Sequence, residues 1–165
     1  MARKVFFSFR YKWDSKRVQQ IKQIGSIEGQ TLLSSNEWEK VKSGGDAQIQ
    51  RWIDGEMKGK NCQVVLIGEF TAGRKWVNYE IKKAWADGKG VLGIHIHNLK
   101  DLDGSQMNKG KNPFDDFTIN GKKMSSIVKT YDPPFTTSTN VYGHIKTNIE
   151  SWIEEAIRIR NDYNK

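Results

Sequence analysis

Apolar and polar positions divide the chain into short, nearly continuous apolar runs separated by longer stretches of helical periodicity. Lys4 to Phe9 (KVFFSF), Cys62 to Gly68 (CQVVLIG) and Val91 to His97 (VLGIHIH) have few polar interruptions and many β-formers, the pattern of strands buried on both faces. Thr31 to Ser34 (TLLS) reads as a weaker strand, and Ile127 to Tyr131 (IVKTY) as an edge strand ahead of Pro133-Pro134. Helical spacing places Val18, Ile21 and Ile24 on one face of a helix capped by Asp14 or Ser15 and ended by Gly25. After a Gly44-Gly45 break, an Asp46 cap opens a helix that buries Ile49, Trp52, Ile53 and Met57. An amphipathic helix spans Thr71 to Gly88, with Val77, Ile81, Ala84 and Trp85 inward. The last helix, at about 141–160, buries Ile145, Ile149, Trp152, Ile153, Ala156 and Ile157. The stretch 98–123, rich in Gly, Asn, Asp and Lys, reads as a long surface loop. Strands alternating with helices predict an α/β fold whose central parallel sheet is covered on both faces, because right-handed crossovers put the helices there.

Length and composition narrow this picture. The 165 residues suit one domain over 1–165. The apolar run near the N-terminus is too short for a signal peptide or a membrane span, so a soluble, cytoplasmic protein is expected. A single cysteine, Cys62, precludes an intramolecular disulfide, and His95, His97 and His144 have no zinc-ligand spacing; no metal is expected. The net charge of +8 comes from 27 Lys and Arg scattered among 19 acids, without a long basic run or a nucleic-acid module. It suits attraction of a nucleotide or pyrophosphate better than nucleic-acid binding.

In an open parallel sheet, ligands bind beyond the carboxyl ends of the strands. That rule selects Ser8, Phe9, Arg10 and Tyr11 after the first strand, and Ser34, Ser35, Asn36 and Trp38 after the second. Gly68 to Trp76 follow the third and His97 the fourth. Dinucleotide, P-loop, nucleophile-elbow and calcium-loop motifs are all missing, and His95 and His97 share one face of a strand where packing accounts for them. What remains is Glu80, on the margin of the apolar face of its helix. Helix geometry alone allows an ordinary surface acid beside Lys75 or Lys83; the rim placement, with Trp76 one turn earlier, favours chemistry. A lone carboxylate suits cleavage of a glycosidic bond whose leaving group is already cationic, like the nicotinamide of NAD, because such a group needs little protonation. Glu80 would stabilise the oxocarbenium-like charge. Phe9, Tyr11 or Trp38 would stack on a base, and Arg10 or the amides at the start of the third helix would meet the pyrophosphate.

The opening KVFFSFRYKWD resembles the first box of TIR domains, and Trp76-Val77-Asn78-Tyr79-Glu80-Ile81 resembles their W-x-x-x-E signature. With VVLIG, the Asn36-Glu37-Trp38-Glu39 region, GIHIHNLKD and GKNPFD, nearly the whole chain is similar to the TIR proteins of bacterial Thoeris anti-phage defence. The resemblance implies a flavodoxin-like three-layer sandwich and an NAD-cleaving enzyme, an NAD glycohydrolase or ADP-ribosyl cyclase. NAD is then a substrate, and no cofactor is required. Glu80 is implied as the catalytic carboxylate, and Ser8, Phe9, Arg10, Tyr11, Asn36, Trp38 and Trp76 as lining the substrate site. It also implies a phage-derived trigger, a cyclic ADP-ribose-type or ADP-ribose-conjugate product, and a separate effector protein that responds to it. A non-catalytic TIR scaffold acting by self-association stays open, as does a homo-oligomer. The loop after the second strand departs from the TIR pattern and lacks its proline.

Overall fold

The computed structural model describes residues 2–163. Its strands, in chain order, are β1 (Arg3–Ser8), β2 (Ile27–Gly29), β3 (Cys62–Ile67), β4 (Gly90–His95), β5 (Thr118–Ile119), β6 (Lys122–Lys123) and β7 (Thr130–Tyr131). Its helices are α1 (Tyr11–Lys22), α2 (Ser35–Ser43), α3 (Gly45–Met57), α4 (Lys75–Ala86) and α5 (Ser138–Asp162). β3 and β4 are buried at every position, which explains why both sequences are apolar without alternation. They form the middle of a parallel sheet ordered β2-β1-β3-β4-β7, while β5 and β6 make a separate antiparallel hairpin. This is the flavodoxin-like order, and the strand sequence reverses between β1 and β3.

Side chains alternate between two helical layers. Val5, Phe7, Val64, Leu66, Leu92 and Ile94 pack with the apolar residues of α1 and α5. Phe6, Val65, Ile67 and Val91 pack with Ile49, Ile53 and Met57 of α3 and Val77, Ile81 and Ala84 of α4. The same alternation sends Ser8 of β1 and Gln63 of β3 toward the α4 side, where each is almost wholly buried.

Several boundaries differ from the sequence reading. The second strand is Ile27–Gly29, and Thr31 to Ser34 is irregular. Ser34 instead caps α2, an additional helix, through a capping box with Glu37, so Trp38 sits on a helix and not in a loop. Helix α1 begins at Tyr11, with Asp14 inside its first turn and no side-chain cap; α3 begins at Gly45, with Gly44 at its cap position instead of Asp46. Helix α4 starts only at Lys75, because Thr71 to Arg74 form a turn with Gly73 at φ 81°. His97 lies beyond the end of β4. The stretch 98–123 is more ordered than a plain loop. Leu99 and Phe114 are fully buried, Pro113–Asp116 form a short 3-10 helix, and the β5–β6 hairpin closes it. Met1, Asn164 and Lys165, the ends of the expected 1–165 span, lie outside the described residues. No helix among the described residues is long and apolar enough to cross a membrane.

The loop is anchored to α1 by Arg17, buried and paired with Asp14 at 3.3 Å. Its guanidinium also donates to the Leu99 and Ser105 carbonyls, each at 2.8 Å, and to that of Trp13 at 3.0 Å. Asp14 is in turn pressed against the end of β3, where a Cβ on Gly68 would lie 2.2 Å from Asp14 Oδ2.

Helix α5 crosses β4 at Gly90, where a Cβ would stand 2.8 Å from the Ile157 amide nitrogen. Gly90→Ala is expected to lower the unfolding free energy by about 1–3 kcal/mol through forced separation of helix and strand. Gly143→Ala, in open space on the same helix, should be neutral or stabilising. Urea denaturation of both variants checks the contrast.

Candidate active site

Past the carboxyl ends of β1 and β3, at the reversal of strand order, lies a cavity of about 470 Å³. Its walls come from three regions. The β1–α1 junction supplies Phe9, Arg10, Tyr11 and Lys12; Gln30 to Leu33 together with Trp38 and Lys42 of α2 form the second wall; and Arg74, Lys75, Trp76, Val77 and Glu80 line the third. Of the residues expected from sequence, Phe9, Arg10, Tyr11, Trp38, Trp76 and Glu80 line this one cavity. Ser8 lies beneath it, 1% exposed, and hydrogen-bonds Glu80. Asn36 is exposed in the first turn of α2 and does not line the cavity. His97 faces a second, shallower depression, and neither it nor His95 reaches the first.

The aromatic wall is continuous. Phe9 stacks on Tyr11 with ring centroids 5.6 Å apart, Tyr11 on Trp38 at 5.5 Å, and Trp38 meets Trp52 edge-on at 6.0 Å. Such a wall offers flat apolar surface to a planar ring. The rim is also cationic, with Arg10 between Phe9 and Tyr11 and with Arg74 and Lys75 on the third wall. Burial, and then the nearby charge of Arg74, hold the Arg10 guanidinium below its ordinary pKa, against the smaller opposing pull of Asp14. Arg10 Nη1 is buried and has no hydrogen-bond partner among the described residues. Arg74 is braced by donating from Nε to the Phe70 carbonyl at 3.0 Å. Lys75 is tied to Asp46 and lies 5.0 Å from the Trp76 ring centroid. Two guanidiniums lining one cavity, each just ahead of a helix, could together meet a dianion such as a pyrophosphate.

Glu80 is the acid in this cavity, and it is 8% exposed. Burial pushes its carboxyl up to about 8, and the hydrogen bond from the Ser8 hydroxyl pulls partly the other way. No cation pairs with it among the residues shifting its titration. Such a carboxylate is poised to meet a positive charge brought in by a ligand.

Comparison with known proteins shows the family of this chain. The profile of the family described as Thoeris protein ThsB, TIR-like domain, matches residues 6–101. The chain belongs to this family. A relative within it, from Bacillus cereus (strain MSX-D12), bears the name "Putative cyclic ADP-D-ribose synthase ThsB1". It is 34% identical over 141 residues, covering 75% of this chain and 69% of the relative. The part matched by the Thoeris TIR-like profile carries the second half of β1, the aromatic wall, Arg10, Arg74 and Glu80.

Of two further residues at this Thoeris-family site, Gln63 lies outside the stretches that the rim rule selects, and Arg74 lies within Gly68 to Trp76 without being singled out there. Gln63 interrupts an apolar strand and donates to Ser8 Oγ at 2.8 Å. A polar residue in the middle of CQVVLIG was the available signal. Arg74 immediately precedes α4, and its role depends on the fold bringing it to Arg10.

The raised carboxyl has a consequence for stability. Because the folded-state value lies above the ordinary 4.5, the contribution of Glu80 is fully present below that value and is lost as pH rises through about 8. Glu80→Gln removes the titration. The variant should therefore gain stability over the parent between about pH 5 and 9, by roughly 3–5 kcal/mol at the alkaline end. Thermal unfolding of both proteins across that range measures it.

Proposed function

We propose that this protein cleaves NAD at the nicotinamide–ribose bond and makes a cyclic ADP-ribose-type or ADP-ribose-conjugate signal in anti-phage defence. The observation that carries the reading is the single dry carboxylate of Glu80, set between an aromatic wall and a two-arginine cradle in one cavity. The name borne by the Bacillus cereus relative supports the same chemistry. In the proposed reaction the pyrophosphate sits between Arg10 and Arg74, and a base lies against Tyr11 and Trp38. The C–N bond breaks with its electron pair going to the pyridinium nitrogen, releasing neutral nicotinamide. The ionised Glu80 carboxylate stabilises the positive ribosyl carbon left behind. A nucleophile then bonds to that carbon and gives up a proton, which Glu80 can take. Water would give ADP-ribose, and a group within the same molecule would give a cyclic product. The protein then acts in the cytoplasm downstream of a phage-derived trigger, and the product passes the signal to a separate effector protein. Ser8, Phe9 and Trp76 complete the substrate site in this reading; Asn36, away from the cavity, takes part only through the position of α2.

Incubation with NAD, after whatever activation the defence requires, followed by chromatography and mass spectrometry of the products, tests the proposal. Glu80→Ala should lower turnover by at least about a thousandfold, the scale expected when a residue that stabilises transition-state charge is lost; undiminished turnover would remove Glu80 from the mechanism. Arg74→Ala should raise KM more than it lowers kcat. The ionised carboxylate is the active form, so kcat/KM should rise with pH to a limb near 8. A bound cationic nicotinamide favours ionisation, which should place the acidic limb of kcat at lower pH than that of kcat/KM.

A further inference from the structure

Ser8 has one hydroxyl hydrogen, and where it points is decided from below. Gln63 is 0% exposed and lies on β3 opposite Phe6, diagonal to Ser8 on the same face of the neighbouring strand. Its Nε2 donates to Ser8 Oγ at 2.8 Å. With a lone pair of Oγ so occupied by a donor, the hydroxyl hydrogen is left for the acceptor on the other side, the Glu80 carboxyl, with which Ser8 is hydrogen-bonded. The reverse arrangement, with the Gln63 carbonyl facing Ser8, would draw that hydrogen away from Glu80. Gln63 Oε1 is meanwhile buried without a hydrogen-bond partner among the described residues. An orphaned buried acceptor costs about 1–3 kcal/mol, and an apolar side chain of similar shape would avoid that cost in a strand otherwise built of apolar residues. Fold stability alone therefore does not account for a glutamine at this place.

We infer that Gln63 is a positioning residue for the Glu80 chemistry: by donating to Ser8 Oγ it turns the Ser8 hydroxyl toward the Glu80 carboxylate. The inference rests on the proposed role of Glu80, while the relay itself is a property of the resting protein. Gln63 and Ser8 act as one unit, and the hydrogen bond they deliver favours the ionised form of a carboxylate that has no cation beside it. Loss of a charge-assisted hydrogen bond of this kind raises a carboxyl pKa by about one unit. At pH below the midpoint, that corresponds to roughly tenfold less ionised Glu80.

The test uses the full chain labelled with 13C at the glutamate carboxyls, with the Glu80 resonance assigned by its loss in Glu80→Gln. The Glu80 titration midpoint should move up by about one unit in Gln63→Met and in Ser8→Ala, and no further in the double variant, because the two residues serve one hydrogen bond. Gln63→Glu, should Gln63→Met fail to fold, is expected to move it at least as far, since a second acidic group both competes for the Ser8 hydroxyl and repels the ionised form. In NAD turnover the acidic limb of the kcat profile should shift the same way, with KM within about twofold of the parent. An unmoved Glu80 midpoint in a folded Gln63 variant, or single-variant shifts that add in the double variant, overturns the relay. Absence of NAD cleavage by the parent would instead overturn the proposed function and leave the relay to be decided by the titration.

Discussion

A carboxyl group taken out of water resists ionising unless something replaces the lost hydration. The site depends on how that penalty is divided. Glu80 is almost fully buried and receives a hydrogen bond from Ser8, yet no cation among the described residues shifts its titration, although Arg10 and Arg74 line the same cavity. A salt bridge would have stabilised the carboxylate at rest and left it indifferent to a positive charge forming nearby. Without one, a positive charge brought into the cavity would be the strongest stabiliser of the ionised form, which is what the proposed reaction asks of Glu80.

The sheet makes this separation possible. β1 and β3 are adjacent and parallel, but their following connections diverge: α1 packs on the layer shared with α5, and α4 on the layer shared with α3. The cleft opened by that divergence receives Arg10 from one connection and Arg74 and Glu80 from the other. Its open side is walled by α2, whose capping box holds Trp38 against Tyr11. The buried Arg17–Asp14 pair fixes the α1 side by tying it to the loop around Leu99 and Ser105. Asp14 lies in low dielectric and is pushed up to about 6, with burial outweighing the attraction of Arg17 and the weaker pull of Arg10.

Where sequence reading went astray, local preference had been asked to decide something set by packing. TLLS has the composition of a strand, but Ile27 to Gly29 reaches β1 first, and Gln30 then closes the edge through both the Phe7 amide and the Phe7 carbonyl, at 2.9 Å each. Asp14 and Asp46 looked like caps because acids favour helix starts, yet each lies inside its helix, engaged with a cation. Asn36 followed from the rim rule applied to a misplaced strand, and α2 carries it away from the cavity.

Periodicity alone determined the parallel α/β architecture, the buried β3 and β4 and the inward faces of α4 and α5, because continuous apolar runs and helical spacing report burial directly. The order and spacing of short motifs were sufficient to identify the family and to single out Glu80. Tertiary structure decided how dry Glu80 is, which cation comes near Arg10 and which group donates to Ser8 Oγ. Those depend on distances between residues far apart in the chain, such as Ser8 and Gln63 on adjacent strands, which no local pattern encodes. Electrostatics at a buried site follows from such distances and from the exclusion of water, and neither exists before the chain folds.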